Sequence, residues 1–565
     1  MDVDWHCLIS QPEHGVAADK DVRVVMRDGV ELAVDVFRPD GDGRYPALLS
    51  YSPYGKDVQR VLDKQRPHSS RTGNGGQEAG DTGYFVSRGY VHVIADVRGS
   101  GDSGGSYDFQ GRREQLDGYD LIEWIAEQPW CDGNVGMLGM SYFGVVQNLV
   151  AATRPPHLKA IAPYEAYTDR YRHSVYHGGI FDEGFFHQWF EHLSVPPQRP
   201  LIYDFLDEKE VDRRRAALLA EPEIVDSPYL HIQLKYETKN PLMFDFLVEP
   251  HDGPYYWERS SNRVLDRIEV PALLMARWSG WPIHLAGAFE AWRGITAPKK
   301  MIIMETEWIT GPMRPWRDHQ DIILRWYDHW LKGNDTGMLD EPPITLLVKG
   351  TDEWRHEHEW PLARTVWTRF HLLPDGSLDR EPDGSLDREP GTGEASLDFE
   401  NDPWIRPGDT SPGLDFATPP LESPLEVTGP IALHLRAELD QPDATWIVTL
   451  RDVAPDGSST VVTKGWLRAS HRALDPERSE PYKPYHPHDR TVPVPVGEPQ
   501  DYAIELRETS MVFRAGHRLL LQVRGQDTQT EEPVWYHTCN PVPTTHRLLL
   551  GGDAGSHLLL PVIES

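Results

Sequence analysis

The segment Asn134-Val-Gly-Met-Leu-Gly-Met-Ser-Tyr-Phe-Gly-Val-Val-Gln-Asn-Leu-Val-Ala-Ala152 changes its hydrophobic period halfway along. A buried strand stops at Gly139-Met140-Ser141, and helical spacing begins with Val145, Val146, Leu149 and Val150. So sharp a reversal lifts a serine hydroxyl above a sheet edge and sets it at a helix N-terminus. There the next backbone N–H, that of Tyr142, can stabilise an oxyanion. Gly139 and Gly144 permit the close backbone approach the turn needs. Gly-x-Ser-x-x-Gly is weak by itself; within strand, turn and helix it reads as a nucleophile elbow with Ser141 as the nucleophile.

A hydroxyl held this way needs a parallel sheet beneath it. The alternation of Val22 to Val25 and of Glu31 to Phe37 about Arg27-Asp28-Gly29 predicts a β-hairpin. Tyr45 to Tyr51 and Tyr90 to Ala95 are apolar on both faces, as central parallel strands are. Leu116, Tyr119, Ile122 and Ile125 give a helix one apolar face before Val135 to Leu138, which makes a βαβ crossover. From about Tyr167 the texture turns helical and aromatic: Phe181, Phe185, Trp189 and Leu193 recur every four residues, and a further helix surrounds Asp212 to Leu219. An insertion there predicts a lid over the carboxyl ends of the strands. Sheet pattern resumes at Val270 to Met275 and Lys300 to Met304, and a helix with Ile322, Ile323, Trp326, Trp330 and Leu331 follows. Beyond Pro342 the period is two, as in Trp446 to Leu450 and Leu519 to Val523, which predicts a separate β sandwich of the jelly-roll kind. The octapeptide Pro374 to Glu381 repeats at Pro382 to Glu389 and reads as a loop insertion.

The 565 residues, with 56 Lys and Arg against 88 Asp and Glu, carry a formal charge of −32. So acidic a chain repels phosphate backbones and anionic membranes, so neither nucleic acid nor membrane is an expected partner. A hydrophobic fraction of 39% with 19 Trp supplies sizeable cores. Met1 to Trp5 lacks a basic start and apolar core, and the reading expects a cytoplasmic location. Cys7, Cys131 and Cys539 are far apart and read as reduced. Gly99-Ser-Gly-Asp-Ser-Gly104 satisfies a dinucleotide fingerprint but does not open a helix. His356-Glu357-His358 and His486-Pro487-His488 are read as exposed loops, and no metal or cofactor is expected.

Several separated motifs resemble one family. Tyr51-Ser-Pro-Tyr54-Gly-Lys56, Asp96-Val-Arg-Gly-Ser-Gly-Asp-Ser-Gly104, Trp124 to Trp130, Gly139-Met-Ser-Tyr-Phe-Gly144, His177-Gly-Gly, Asp352-Glu-Trp354 and Trp360-Pro-Leu362 look like the cocaine esterase and X-Pro dipeptidyl-peptidase group of serine hydrolases. The resemblance runs from about Val22 to the C-terminus. It implies an α/β-hydrolase domain (1–166 and 263–340), an inserted helical cap (167–262) and a C-terminal jelly roll (341–565). It also implies Ser141 as nucleophile and an oxyanion hole made by the Tyr142 amide and the Tyr54 hydroxyl. A Tyr-Gly turn directly after a buried strand suits that place.

The resemblance also implies an Asp and a His on the loops after the next two core strands, and there the pattern breaks. Matched on Trp278, Gly280 stands at the Asp position; matched on Trp308, Thr310 stands at the His position, and matched on Gly311-Pro312, Pro315 does. Three substitutes are named: His284 reaching back over Ser141, or Glu305 and Glu307 sharing the cavity as carboxylates of raised pKa. His319, at the start of the following helix, is a weaker one. Phe181, Phe185, Trp189, Trp278, Trp281 and Trp308 are the expected pocket wall. Two functions follow: acyl transfer or hydrolysis of a small-molecule ester or amide through Ser141, or non-covalent elimination, cyclisation or isomerisation in the same cavity. An inactive homologue is a third reading, and a homodimer is allowed for.

Overall fold

The computed structural model describes all residues except 1–4, 61–77, 193–197, 306–318, 381–394, 405–409, 528–531, 533, 551–554 and 565. Its first sheet has ten strands: β1 (Val16–Val25), β2 (Glu31–Pro39), β3 (Tyr45–Ser52), β4 (Val91–Asp96), β5 (Cys131–Met137), β6 (Leu158–Ile161), β9 (Ala272–Arg277), β10 (Lys299–Met304), β11 (Ile344–Val348) and β12 (Glu353–Glu357). The order is β1-β2-β4-β3-β5-β6-β9-β10-β11-β12. Every neighbouring pair from β4 to β11 is parallel, while β1, β2 and β12 add antiparallel edges. Helices α1 (Thr82–Ser87), α2 (Arg112–Ala126) and α3 (Tyr142–Ala151) belong to the first half of this unit.

Alternation explains why the central strands carry no polar face. Leu49, Met137 and Leu274 pack into one core with Leu121, Ile122 and Val146. Their neighbours Leu48, Leu138, Leu273 and Met275 point the other way, onto Trp326 and Tyr327. With period-two side chains, a sheet covered on both faces must be apolar throughout.

Between β6 and β9 lie, among the described residues, a two-stranded hairpin, β7 (Tyr176–His177) with β8 (Ile180–Phe181), and six α-helices. These are α4 (Glu183–His192), α5 (Glu208–Leu218), α6 (Pro222–Val225), α7 (Pro228–Lys235), α8 (Pro241–Val248) and α9 (Pro254–Glu258). Then α10 (Leu285–Gly294) follows β9 and α11 (Gln320–Trp330) follows β10. Four of the six cap helices carry Pro in the first turn, where a missing N–H costs no hydrogen bond.

The C-terminal part is an eleven-stranded antiparallel sheet curled into a β sandwich around its own core of Val427, Leu433, Trp446, Ile504 and Leu521. Several readings of this region change. The first strands after residue 341, β11 and β12, complete the parallel sheet instead of starting the sandwich. The first octapeptide copy forms a turn and the short strand Leu378–Arg380; the second lies outside the described residues. His486 and His488 are not exposed loop residues: both are buried, with His486 Nε2 2.8 Å from Ala503 O and its Nδ1 3.1 Å from Ala473 O. His356 and Glu357 lie on β12, where Glu357 pairs with Arg355 and Arg364. Among the described residues no helix is long and apolar enough to cross a membrane.

Candidate active site

Ser141 stands between β5 and α3 with φ 59° and ψ −119°. A non-glycine residue adopts such a backbone only when its surroundings force it, as they do at a nucleophile elbow. The Ser141 amide donates to Tyr164 O at 3.0 Å, and the Ser141 carbonyl accepts from Val145 N at 2.8 Å. A Cβ on Gly139 would lie 2.2 Å from that of Phe143, and one on Gly144 would lie 2.5 Å from Tyr164 O, so the turn closes only around glycine.

The end of β6 is drawn in beside it. Tyr164 bridges both Met140 and Met275, and Glu165, at φ 53°, donates its amide to Met275 O at 2.8 Å. The fully buried Glu165 carboxylate accepts from Arg277 N at 2.7 Å and from Arg277 Nη2 at 3.3 Å. It also lies 3.1 Å from His284 Nδ1. His284 caps α10, its amide donating to Gly280 O at 2.9 Å, and its Nε2 lies 3.3 Å from Ser141 Oγ. Serine, imidazole and carboxylate thus rise from the ends of β5, β9 and β6, which are consecutive in the sheet.

Burial alone would raise the Glu165 pKa. The Arg277 guanidinium and His284 outweigh it and hold the carboxyl at about 2. With an ionised Glu165 beside Nδ1, the tautomer protonated there is the favoured one, and it leaves the Nε2 lone pair facing the serine hydroxyl.

A carboxylate outside the expected substitutes thus faces the imidazole. Gly280, at the usual acid position, would place a Cβ 2.9 Å from Glu165 Oε2, so the missing side chain is the space the glutamate fills. The carboxylate stands at the end of β6, and the imidazole lies beyond β9, the strand after which the resemblance implies the acid. Glu165 was missed because Ala162-Pro-Tyr-Glu165 falls between the serine helix and the lid, in a stretch assigned to no element. The signal available was a carboxylate just beyond a strand end, one sheet neighbour from the serine.

Of the other substitutes, Glu305 hydrogen-bonds Ser279 and faces Lys349; burial raises its pKa. His319 caps α11 and packs edge-on to Tyr164. Glu307, Trp308, Thr310 and Pro315 lie outside the described residues. The Tyr54 hydroxyl accepts from Trp189 Nε1 at 3.0 Å, and its ring meets that of Tyr142 edge-on at 5.7 Å. Burial, then the nearby Glu78, raises the Tyr54 pKa, which keeps its proton available for donation. The Tyr142 phenol points away, donating to Glu114 Oε1 at 2.7 Å, so only its amide, free of an intrahelical acceptor by position, can serve an oxyanion. Glu78, also unforeseen, is buried beside Tyr54, its pKa pushed by burial to about 8 against the pull of Arg277.

Phe185 stacks on Trp535 at 4.7 Å and on Trp189 at 6.2 Å, and it packs with Val145 and Leu149 of the serine helix. Trp281 stacks on Trp466. Two expected wall residues sit in the interior: Trp278 is buried on Phe289 with its indole donating to Leu347 O, and Phe181 is packed on Phe186 and Tyr176.

A serine elbow over a parallel sheet with a helical insertion defines an α/β-hydrolase of the serine class. The family profile described as X-Pro dipeptidyl-peptidase (S15 family) matches residues 28–313, and that of the X-Pro dipeptidyl-peptidase C-terminal non-catalytic domain matches 336–559. The chain belongs to this family and is a serine hydrolase-like enzyme. It is 29% identical to the cocaine esterase of Rhodococcus sp. over 96% of this chain and 98% of that one. A CocE/NonD family hydrolase from Staphylococcus aureus superposes with a TM-score of 0.76 at 25% identity, covering 97% of this chain and 94% of that one. An aminopeptidase from a marine sediment Thaumarchaeota archaeon shares the fold with a TM-score of 0.73 at 18% identity, covering 98% and 97%.

Proposed function

We propose that the protein cleaves the ester or amide acyl group of a small molecule through an acyl-enzyme on Ser141, with His284 as general base and Glu165 as its carboxylate partner. The observation that carries this is the unbroken line from Ser141 Oγ to His284 Nε2 at 3.3 Å and from His284 Nδ1 to Glu165 Oε2 at 3.1 Å. A serine hydroxyl is a poor nucleophile without a positioned base, and this line supplies one. As Oγ attacks the carbonyl carbon, its proton passes to His284 Nε2, and the imidazolium formed is stabilised by Glu165. The oxyanion is received by the Tyr142 amide and the Tyr54 hydroxyl. The imidazolium then protonates the leaving group, and water repeats the sequence to release the acid.

The X-Pro dipeptidyl-peptidase activity for which the family is named and the esterase activity of its Rhodococcus relative support acyl chemistry over non-covalent elimination or isomerisation. A fluorophosphonate probe tests the reading. Stoichiometric labelling that maps to Ser141 is expected, with labelling and turnover of an activated aryl ester both lost in Ser141→Ala. Retained turnover in Ser141→Ala would overturn it.

A further inference from the structure

Away from the serine, the β7–β8 hairpin of the cap docks on the C-terminal domain. Gly178, at φ +56°, forms its turn, and a Cβ there would lie 2.0 Å from Trp466 O; Arg468 N donates back to Gly178 O at 2.8 Å. The segment around residues 536–538 continues this contact, with Thr538 N donating to Phe181 O at 3.0 Å and Tyr536 O accepting from Gly184 N at 2.9 Å. Three buried groups meet at the junction: His177, Asp182 and His537, each offering one ligand atom, all within 4.8 Å of one another.

Their hydrogens do not balance. Three contacts run in line: His173 O to His177 Nε2 at 3.4 Å, His177 Nδ1 to His537 Nε2 at 2.8 Å, and His537 Nδ1 to Asp527 Oδ2 at 2.9 Å. Each needs one hydrogen, and two neutral imidazoles supply only two. When the outer nitrogens donate to the carbonyl and to Asp527, the inner pair present lone pairs to each other. A cation between them would resolve that; the neutral alternative, with His177 Nδ1 donating to His537 Nε2, leaves the 3.4 Å contact to His173 O unmade. Asp182 adds to the demand: its Oδ1 accepts from Phe185 N at 3.1 Å, while its buried Oδ2, 4.0 Å from His177 Nδ1, has no hydrogen-bond partner among the described residues.

We propose that His177 Nδ1, His537 Nε2 and Asp182 Oδ2 form a binding site for a divalent transition-metal ion of the zinc class, joining the cap hairpin to the C-terminal domain. Two imidazoles and one carboxylate make a borderline nitrogen-rich set that suits zinc and its neighbours over magnesium or calcium. The outer shell is that of a histidine metal site: Asp527 orients His537, accepting also from its backbone N at 2.9 Å, and a backbone carbonyl orients His177. Trp466 stacks on His177 at 4.8 Å and closes the site from one side. A tetrahedral ion ~2.0–2.1 Å from each nitrogen sets the nitrogens ~3.3 Å apart, so loading parts the rings by about half an ångström. The ion would be structural. Asp182 immediately precedes α4, whose Trp189 holds the Tyr54 hydroxyl, so the ion fixes the start of the helix that reaches the serine.

The test uses the full-length protein, stripped with a chelator and titrated with Co2+ and then Zn2+. One tight equivalent of Co2+ with visible d–d absorption is expected, displaced by Zn2+, with a higher Tm in the loaded form. Asp182→Asn and His537→Gln should each weaken Co2+ binding at least tenfold, whereas His471→Gln, in a separate buried histidine pair, should not. Absence of the absorption band from the wild type overturns the proposal and leaves a shared proton between the rings; this reading needs no variant to fold. Undiminished binding in both variants overturns it too, because the ion then sits elsewhere.

Discussion

A Cβ on Gly280 would stand 2.9 Å from Glu165 Oε2, so a side chain at 280 has to displace the glutamate carboxylate. Glu165→Gln keeps the shape but removes the charge that fixes the His284 tautomer; kcat should fall ~10³–10⁴-fold with KM changed only a few-fold, as removal of a triad carboxylate does. Gly280→Asp alone forces a second carboxylate against a buried one and should also inactivate, with a loss of stability of about 2–4 kcal/mol. In the double variant Glu165→Ala, Gly280→Asp the carboxylate returns to the strand that ordinarily carries it. Activity should recover about tenfold over Glu165→Ala, a coupling that two independent lesions would not show. Steady-state kinetics on an activated aryl ester decide this, and a double variant no better than the single would refute the exchange. The serine and His284 were legible in the sequence because an elbow is a local pattern and a histidine four residues past Gly280 falls within its reach. Glu165 was not, because its partnership with His284 spans 119 positions and depends on the sheet order β6-β9, which no local period encodes.

The strands and helices under the site were readable for the opposite reason: apolar runs and four-residue spacing follow from burial on two faces or one. What α4 does with its face was not readable. Phe185 and Trp189 were expected on a pocket wall, and the helix also delivers an indole N–H to the Tyr54 hydroxyl at 3.0 Å. That bond occupies a lone pair on the phenol oxygen and leaves its hydrogen to point elsewhere, so α4 orients the hydroxyl that the proposed mechanism offers to the oxyanion. Tyr54→Phe should lower kcat ~10²–10³-fold, the usual effect of losing one such donor. Trp189→Phe keeps the aromatic stack on Phe185 and loses only the aim, with about tenfold expected. Because the two act through one oxygen, the double variant should be no worse than Tyr54→Phe; additive losses would show that Trp189 works through substrate contact instead.

Across the whole molecule, two sets of buried carboxyls oppose each other. Burial raises Glu78 and Glu114 to about 8 and Asp245 to about 7. Their folded pKa values lie above the unfolded ones, so the stability they contribute is complete below the ordinary carboxylate range and is lost as pH rises through 7 to 8. Glu165 and Glu508 are held at about 2 despite burial, Glu165 chiefly by Arg277 and Glu508 by Lys483 and Arg293, so their contribution is present above the ordinary value and lost on acidification. The formal charge of −32 adds self-repulsion that grows with every proton removed. Tm should therefore peak near pH ~5 and decline steadily towards pH ~8.5. Glu114→Gln separates the terms. A glutamine keeps an acceptor for Gln110 N and cannot ionise, so its variant should lose part of the alkaline decline whatever its stability near pH ~5. Added salt should instead raise Tm most at alkaline pH in both proteins, since it screens the net charge and leaves a desolvated carboxyl untouched. A wild-type Tm that is flat or rising between those two pH values would show that these carboxyls fold ionised, with partners that the packing around Tyr142 does not supply.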